Sequence, residues 1–295
     1  MIEVRSLAKR FGGLVAVKDV SFTLERGEAF GLLGPNGAGK TTTIQMLAGV
    51  LTPDGGEVRV GGMDPREAKG RATIGVAPQG LAIFEELTAG ENLATFGALY
   101  GLSGAKLKSR VDWALEFAGL TDRRKDRAAT YSGGMKRRLN LACALVHEPS
   151  ILICDEPTVG VDPQSRNHVF ESIEALRQEG VTLLYTTHYM EEAARLCDRV
   201  AIMDHGSILA CASVDALVRE HGGNSLVEAR LGEVPASPPE IDGTFDGDSF
   251  RADTEKPFEI VAALGKSGLA IAELKVERPD LERVFLNLTG RSLRD

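Results

Sequence analysis

A glycine-rich stretch near the amino terminus, GPNGAGKTT at Gly34–Thr42, limits what this chain can fold into more than any other feature. It fits the pattern G-x-x-x-x-G-K-[ST], in which glycines let successive backbone N–H groups point at an anion. The apolar segment Ala29–Leu33 before it predicts a buried strand, and the residues after it predict a helix that ends at Gly49. A strand, a phosphate-binding loop and a helix in this order predict an α/β fold with a helix N-terminus facing a phosphate.

Composition disfavours several functional classes. The 295 residues include 42 acidic and 34 basic ones, a formal net charge of −8, which argues against a nucleic-acid surface. No apolar run approaches the roughly 18 residues that a membrane span needs, and the first residues lack the apolar segment of a signal peptide. Four cysteines lie in apolar or helical patterns without a C-x-x-C pair, so we expect reduced core residues: Cys143, Cys154, Cys197 and Cys211. We therefore expect an intracellular protein that reaches a membrane only through a partner.

Polar residues follow three predicted buried strands. Gln79 ends one strand, Asp155 and Glu156 follow the segment SILIC, and His188 follows VTLLYTT. Ligands of open α/β sheets bind at the carboxyl ends of the strands, so these side chains are candidates for the site of the glycine-rich loop. Two adjacent carboxylates there suit a metal ligand and a general base. Taken singly, each has a plainer interpretation: a solvated glutamine, a chance acidic pair and a structural histidine.

A second segment suited to phosphate contact is Ser132–Gly134, where the serine predicts an N-cap and two glycines leave the backbone bare at a helix start. Asp162-Pro163 predicts another helix start. Phe11 lies in a polar turn and is either a surface aromatic or a platform on which a base stacks. Thr88 and Glu91 have the spacing of a capping box.

Hydrophobic periodicity divides the chain into regions. Short strands are predicted over 2–33, and a helical period runs from about 81 to 146. Composition changes near residue 224, and the Pro-, Gly- and Asp-rich segment 232–250 predicts a linker or a loop. Beyond it, a helix, a strand and a second helix predict a small appended unit.

The last predicted helix carries an apolar stripe formed by Leu281, Val284, Phe285 and Leu288. So short a helix is marginal alone in water, so the stripe must pack on something. It belongs either to the core of the appended unit, together with Phe258 and Ile260, or to a surface that docks on another subunit or a permease.

In their order along the chain, these segments resemble the nucleotide-binding subunit of ATP-binding-cassette (ABC) transporters over residues 1–220. Seven motifs carry the resemblance: Phe11 as the adenine-stacking aromatic, Gly34–Thr42 as the Walker A loop, Gln79 as the Q-loop glutamine, Tyr131–Met135 as the signature LSGGQ, Asp155 and Glu156 as the Walker B pair, Asp162 as the D-loop aspartate, and His188 as the switch histidine. Their joint occurrence favours the functional interpretation of Gln79, Glu156 and His188. Tyr131 and Met135 depart from the commonest signature, whose phosphate-contacting part is intact.

The narrower resemblance is to exporters of the daunorubicin-resistance type. It rests on the YSGGM signature, the TTHYMEEA stretch and the tail LERVFLNLTGRSLRD. In that group the ATPase is a separate chain paired with a multi-helix permease.

The resemblance implies a P-loop NTPase ABC cassette in residues 1–223, with a RecA-like core, an antiparallel β subdomain and a helical subdomain over about 81–146. Residues 224–295 would form a small α+β C-terminal accessory domain.

The resemblance also implies the site residues. Those that bind ATP would be Phe11, Gly34, Pro35, Asn36, Gly37, Ala38, Gly39, Lys40, Thr41, Thr42, Ser132, Gly133, Gly134 and Asp162. The catalytic residues would be Lys40, Gln79, Glu156 and His188. Thr41, Gln79 and Asp155 would hold Mg²⁺.

The implied activity is ATP hydrolysis that powers transport, in the export direction, by ATP-driven dimerisation of two copies. The protein would lie in the cytoplasm, peripheral on the cell membrane through its permease, with no nucleic-acid partner. The coupling region would lie near Gln79 and Thr88–Asn92, where Glu91 serves equally well as a capping partner. The alternatives are a non-transport ABC ATPase of repair or translation, disfavoured by the acidic balance and the single cassette, and a poorly hydrolysing regulatory module, disfavoured by the intact Glu156 and His188.

Overall fold

The computed structural model describes residues 2–235 and 237–290. Backbone contacts divide them into two compact units, one up to Val214 and the other from Asp215 onward. The boundary predicted after residue 223 falls just beyond the helix Val214–His221, which begins at this division. Throughout the described part of the chain, every helix is too short or too polar to cross a membrane.

The first unit contains nine strands and seven α-helices among its described residues. The strands are β1 (Ile2–Phe11), β2 (Leu14–Leu24), β3 (Ala29–Leu33), β4 (Gly55–Val60), β5 (Ile74–Ala77), β6 (Ile151–Asp155), β7 (Thr182–Thr187), β8 (Arg199–Asp204) and β9 (Ser207–Ser213). The helices are α1 (Lys40–Leu47), α2 (Ala68–Arg71), α3 (Ala89–Leu99), α4 (Gly104–Phe117), α5 (Gly133–Leu145), α6 (Pro163–Gln178) and α7 (Met190–Leu196). Two 3₁₀ turns, Thr121–Arg123 and Ala128–Thr130, connect α4 to α5.

A six-stranded sheet with the order β5-β6-β7-β3-β8-β9 forms the centre of this unit. Every pair is parallel except β8 with β9, and β3, β6 and β7 are buried along their whole length. Unbroken apolar strands are what a parallel sheet covered on both faces requires. Because parallel strands end at one edge, the residues after β3, β5, β6 and β7 meet there.

A three-stranded antiparallel sheet, β2-β1-β4, packs on this core. Val20, Phe22 and Leu24 are buried at alternate positions of β2, as their spacing predicts. The Phe22 ring stacks on Phe30 of β3 with 5.0 Å between centroids. Phe11 is the last residue of β1, where the sheet meets the glycine-rich loop.

The predicted helical region contains α3, α4 and α5, which share a core that includes Leu93, Leu115 and Leu139. The predicted capping box is present at the start of α3. The Thr88 Oγ1 accepts a hydrogen bond from the Glu91 N–H (3.2 Å), and a Glu91 carboxylate oxygen accepts one from the Thr88 N–H (2.8 Å).

The second unit contains the helix α8 (Val214–His221), the strands β10 (Ser225–Leu231), β11 (Thr244–Asp246), β12 (Ser249–Thr254) and β13 (Ile271–Glu277), and the helices α9 (Pro257–Lys266) and α10 (Leu281–Thr289). Its four-stranded sheet has the order β11-β12-β10-β13. The predicted helix–strand–helix corresponds to α9, β13 and α10. The linker or loop predicted over 232–250 is partly wrong, because β11 and the start of β12 lie within it. Its Asp and Gly residues instead form a two-residue hairpin turn, in which Gly247 has φ +59°.

Two expectations about buried residues are wrong. Phe258 is 63% exposed, whereas Ile260 is buried in the core of the second unit. Residues two apart on a helix face in different directions, so the two cannot share one core. Cys211 is exposed on the edge strand β9, while the other three cysteines are buried. Along the stripe of α10, Leu281, Val284 and Phe285 are buried within this chain and Leu288 is half-buried.

Candidate nucleotide-binding site

A cavity of about 430 Å³ lies against the glycine-rich loop. It is lined by Phe11 and the start of β2, by residues of the segment Pro35–Thr42, and by Gln79 and Glu156. The residues that follow β3, β5 and β6 therefore lie together at this cavity, as the parallel sheet predicts.

The glycine-rich loop owes its shape to its glycines. Gly34 has φ +158° and Gly39 has φ +103°, backbone conformations that side chains rarely adopt. A Cβ on Gly34 would collide with the carbonyl oxygen of Met203, and one on Gly39 with that of Ala16. These two backbone segments press against the loop, so no larger residue fits at either position.

Lys40 is the first residue of α1 and is only 4% exposed. Its ammonium donates hydrogen bonds to the carbonyl oxygens of Gly34 (2.7 Å) and Pro35 (3.1 Å). It also lies 3.1 Å from Glu156 Oε1. A buried cation at a helix N-terminus beside a glycine-rich loop is an arrangement suited to an anion.

Glu156 is 4% exposed, and polar residues from the neighbouring strands lie around it. Gln79 Nε2 donates to Glu156 Oε2 (3.1 Å), and His188 Nδ1 lies 3.6 Å from the same oxygen, too far for a hydrogen bond. The Glu156 N–H donates to both the carbonyl (3.1 Å) and the Oγ1 (3.0 Å) of Thr186. These bonds hold a left-handed backbone with φ +46°, which a residue other than glycine adopts only where its surroundings fix it.

Asp155, the last residue of β6, and Thr41 carry further side-chain oxygens. Asp155 is 3% exposed, and its Oδ1 accepts a hydrogen bond from Thr186 Oγ1 (2.7 Å). Thr41 is exposed in the first turn of α1 and lines the cavity. Among the predicted catalytic and metal-binding residues, the cavity is lined by Lys40, Thr41, Gln79 and Glu156, and Asp155 directly precedes Glu156 at the end of β6.

The predicted signature and Asp162 do not line this cavity. Ser132 caps α5, with its Oγ accepting from the Met135 N–H (3.3 Å), and Gly134 packs against Ser165 of α6. Asp162 caps α6 by accepting from the Ser165 N–H (3.0 Å), and that hydrogen bond lowers the pKa of its carboxyl. Both segments are thus folded helix starts that are not used in the cavity of their own chain.

Arg137 is a residue that the sequence interpretation missed. Its guanidinium, on α5, is buried and donates to the carbonyl oxygens of Pro78 (3.2 Å), Gln79 (2.7 Å) and Val159 (3.2 Å). Burial lowers the pKa of this group. Arg137 thereby ties the signature helix to the backbone of the Q-loop glutamine. The sequence did contain a signal for this residue. Arg137 follows Gly134 by three positions, which puts both on one face of α5.

A phosphate-binding loop between a buried strand and a helix, with a carboxylate and a lysine facing it, defines the class: this is a P-loop nucleoside triphosphatase. A family model described as ABC transporter matches residues 17–159. The chain belongs to the ABC transporter family and is an ABC-type ATPase that binds ATP or ADP.

Relatives match over nearly the full length of the chain. The linearmycin resistance ATP-binding protein of Bacillus subtilis (strain 168) is 43% identical, and the alignment covers 100% of both chains. The Nod factor export ATP-binding protein I of Rhizobium sp. (strain N33) is 41% identical, over 99% of this chain and 98% of that one.

Solved structures match about three quarters of the chain. An ATP-binding subunit of an ABC transporter has a TM-score of 0.69 and 32% identity, covering 75% of this chain and 93% of that one. A dimeric bacterial ABC transporter cassette has a TM-score of 0.66 and 26% identity, covering 72% and 98%. ABC cassettes dimerise and work with other transporter components.

Proposed function

We propose that this chain is the ATP-hydrolysing subunit of an exporter and that it works as a pair of identical chains on a separate multi-helix permease. One observation carries the pairing. Ser132, Gly133 and Asp162 are exposed at the starts of two helices, yet none of them lines the cavity of its own chain. In a head-to-tail pair, the signature of each chain would contact the nucleotide held by the other. Each site would then be complete only when two chains meet around ATP.

Within each site the residues have distinct roles. Phe11 is 48% exposed at the cavity wall, which suits stacking on adenine. Lys40 and the backbone of Gly34–Thr42 hold the phosphates. Glu156 orients the attacking water and accepts its proton, and His188 contacts the γ-phosphate. The signature N–H groups of the second chain stabilise charge that develops in the transition state.

The donor set around the loop fits Mg²⁺. Thr41, Gln79 and Asp155 supply a hydroxyl, an amide oxygen and a carboxylate, the hard oxygen ligands that this ion prefers. Mg²⁺ usually takes one or two carboxylates from the protein and the rest of its ligands from phosphates and water. When bound, it would neutralise charge on the β- and γ-phosphates, and these three residues would hold it directly or through water.

The export direction rests on the relatives, which are named for linearmycin resistance and Nod factor export. The permease would dock near Gln79 and Thr88–Asn92. Between those segments Leu81 is 39% and Phe84 is 50% exposed, an apolar surface suited to a protein partner. Docked in this way, the chain lies in the cytoplasm on the face of the cell membrane.

The test is Glu156→Gln. The amide keeps the shape of the side chain but cannot accept the proton of water, so ATP should still bind while turnover falls by about 10²–10⁴-fold. Size-exclusion chromatography with and without ATP should show a dimer that forms only with ATP. Lys40→Ala is the matched comparison, because it removes a phosphate-binding charge and should abolish nucleotide binding itself. Wild-type turnover in Glu156→Gln would remove Glu156 from the role of base, and a variant that stays monomeric with ATP would contradict the pairing.

A further inference from the structure

The buried carboxylate of Glu192, on α7, lies outside the cavity and is 4% exposed. Its Oε2 accepts hydrogen bonds from the hydroxyls of Thr158 (3.1 Å), Tyr185 (2.9 Å) and Thr187 (2.9 Å). Its Oε1 accepts one from Arg166 Nε (2.8 Å). A buried carboxylate costs several kcal/mol unless its oxygens are paired, and here both oxygens have donors. Burial and the Glu192 charge raise the pKa of Tyr185 well above its ordinary value, so that the phenol stays a neutral donor.

Two of these contacts, those with Thr187 and Arg166, involve the residues on either side of His188 in the chain. Thr187 directly precedes His188, and its Oγ1 also accepts a hydrogen bond from the Tyr189 N–H (2.9 Å). The Arg166 guanidinium lies over the Tyr189 ring, 4.2 Å from its centroid, and that ring lies 4.3 Å from the imidazole of His188. Glu192 therefore holds, directly or through Arg166, the residues that flank His188.

The other contacts reach the segments around the base and the D-loop aspartate. Thr158 follows Glu156 by two residues, so its hydrogen bond fixes the chain where it leaves β6. Arg166 lies in the first turn of α6, which Asp162 caps. One carboxylate thus joins the segments that carry three of the predicted site residues.

The position of His188 depends on these neighbouring residues, because Nδ1 of its own ring makes no hydrogen bond. Its Nδ1 is buried, makes no hydrogen bond and lies 3.6 Å from Glu156 Oε2. The orientation of the imidazole is therefore determined by the residues that flank it.

We propose that Glu192 is a positioning residue for ATP hydrolysis, which acts by holding His188 in place through the residues that flank it. The inference rests on the proposed roles of Glu156 and His188. Misplacement of a reacting group by about 1 Å costs roughly 10²-fold in rate. Loss of the Glu192 contacts should therefore lower kcat while leaving the adenine and phosphate contacts of ATP, and hence KM, in place.

If Glu192 served only to hold α6 against α7, removal of another ion pair between these two helices should lower kcat as well. The chain offers such a pair as a matched control. Glu174 of α6 pairs with Arg195 of α7 (2.9 Å), joining the same two helices as the Arg166–Glu192 pair. This second pair lies at the surface, with the side chains 29% and 59% exposed. Glu174→Gln therefore removes an α6–α7 ion pair without touching the residues beside His188.

The experiment measures kcat and KM for ATP in the full chain for Glu192→Gln, Glu174→Gln, His188→Ala and the double variant Glu192→Gln/His188→Ala. We expect Glu192→Gln to lower kcat by roughly 10- to 100-fold with KM within about twofold. Glu174→Gln should match the wild type. The double variant should be no slower than His188→Ala alone, because Glu192 acts through His188.

Wild-type kcat in Glu192→Gln, or a double variant in which the two losses multiply, would overturn the inference. Wild-type kcat in His188→Ala would instead overturn the proposed site, and the inference with it. If Glu192→Gln does not fold, Thr187→Val replaces it. That variant keeps the Glu192–Arg166 pair and removes the hydroxyl that joins Glu192 to Tyr189. It should lower kcat at unchanged KM, and a wild-type kcat would again overturn the inference.

Discussion

The glycines of Gly34–Thr42 and those of Ser132–Gly134 meet different surroundings. In the first segment, Gly34 and Gly39 have positive φ angles and lie against carbonyl oxygens of distant strands. In the second, Gly133 lies in the first turn of α5 with an ordinary helical backbone, and a Cβ there would have no atom within 4 Å.

The difference distinguishes glycines that the fold requires from a glycine that the fold does not require. The first loop can adopt its conformation in this chain only with glycine at Gly34 and Gly39. Nothing in the surroundings of Gly133 requires glycine, and alanine would favour the helix. In the proposed pairing, the small size of Gly133 would serve a contact with the second chain. Three glycine substitutions test this contrast, in order of their expected effect on the free energy of unfolding, and a fourth substitution, Phe11→Ala, tests the wall of the cavity.

Gly39→Ala should have the largest effect. The left-handed backbone and the collision with the Ala16 carbonyl together should cost about 2–5 kcal/mol of unfolding free energy. Urea denaturation followed by circular dichroism measures it. Gly37→Ala is the control, because Gly37 has φ +81° but open space around it, so only the backbone cost of about 1–2 kcal/mol applies. Equal losses in the two variants would contradict the role of the Ala16 contact.

Gly134→Ala should have an intermediate effect. Its Cβ would collide with the Ser165 side chain of α6, an overpacking that typically costs about 1–3 kcal/mol. Ser165→Gly removes the colliding atoms and keeps the N–H that Asp162 caps. The double variant should therefore recover most of the loss, whereas additive losses would show that the Gly134–Ser165 contact is not the cause.

Gly133→Ala should leave the fold as stable as the wild type, or more stable by up to about 1 kcal/mol. Its ATPase activity should nevertheless fall, by roughly 10- to 1,000-fold, because the added methyl group would stand between the signature N–H groups and the nucleotide of the second chain. Thermal melting and steady-state turnover measure the two effects. A variant with wild-type turnover would place the nucleotide elsewhere.

Phe11→Ala tests the wall of the cavity, where the ring is 48% exposed. Stacking of a base on an aromatic ring contributes about 1–3 kcal/mol, so KM for ATP should rise roughly five- to a hundredfold with kcat nearly unchanged. Stacking tolerates any base, so GTP should be affected similarly. An unchanged KM would make Phe11 a plain surface residue.

The parts that sequence predicts well are those set by neighbours along the chain. Helix starts at Thr88, Ser132 and Asp162 all have the expected caps, and the polar residues after the parallel strands meet at one edge. The hairpin β11–β12 was missed because Asp and Gly indicate a turn equally in a linker and in a hairpin.

Glu192 was missed for a different reason. Its partners lie at Thr158, Arg166, Tyr185 and Thr187, on segments that only the folded sheet brings together. A local signal did exist, since Glu192 and Leu196 share one face of α7 at a spacing of four, and both are buried. A carboxylate on an apolar face indicates a buried partner but does not say which one.

The position of β3 in the sheet has a consequence for how the protein is made. This strand leads into the glycine-rich loop, yet both of its neighbours, β7 and β8, come much later in the chain. The turn between β8 and β9 also supports the loop, since the Gly206 N–H donates to the Ala38 carbonyl (3.0 Å). At about 5–20 residues per second, a ribosome reaches β7 roughly 7 to 30 seconds after it has finished β3. During that interval the nascent chain contains the whole motif in sequence but has no strand to pair with it, so its capacity to bind nucleotide should appear only late in synthesis.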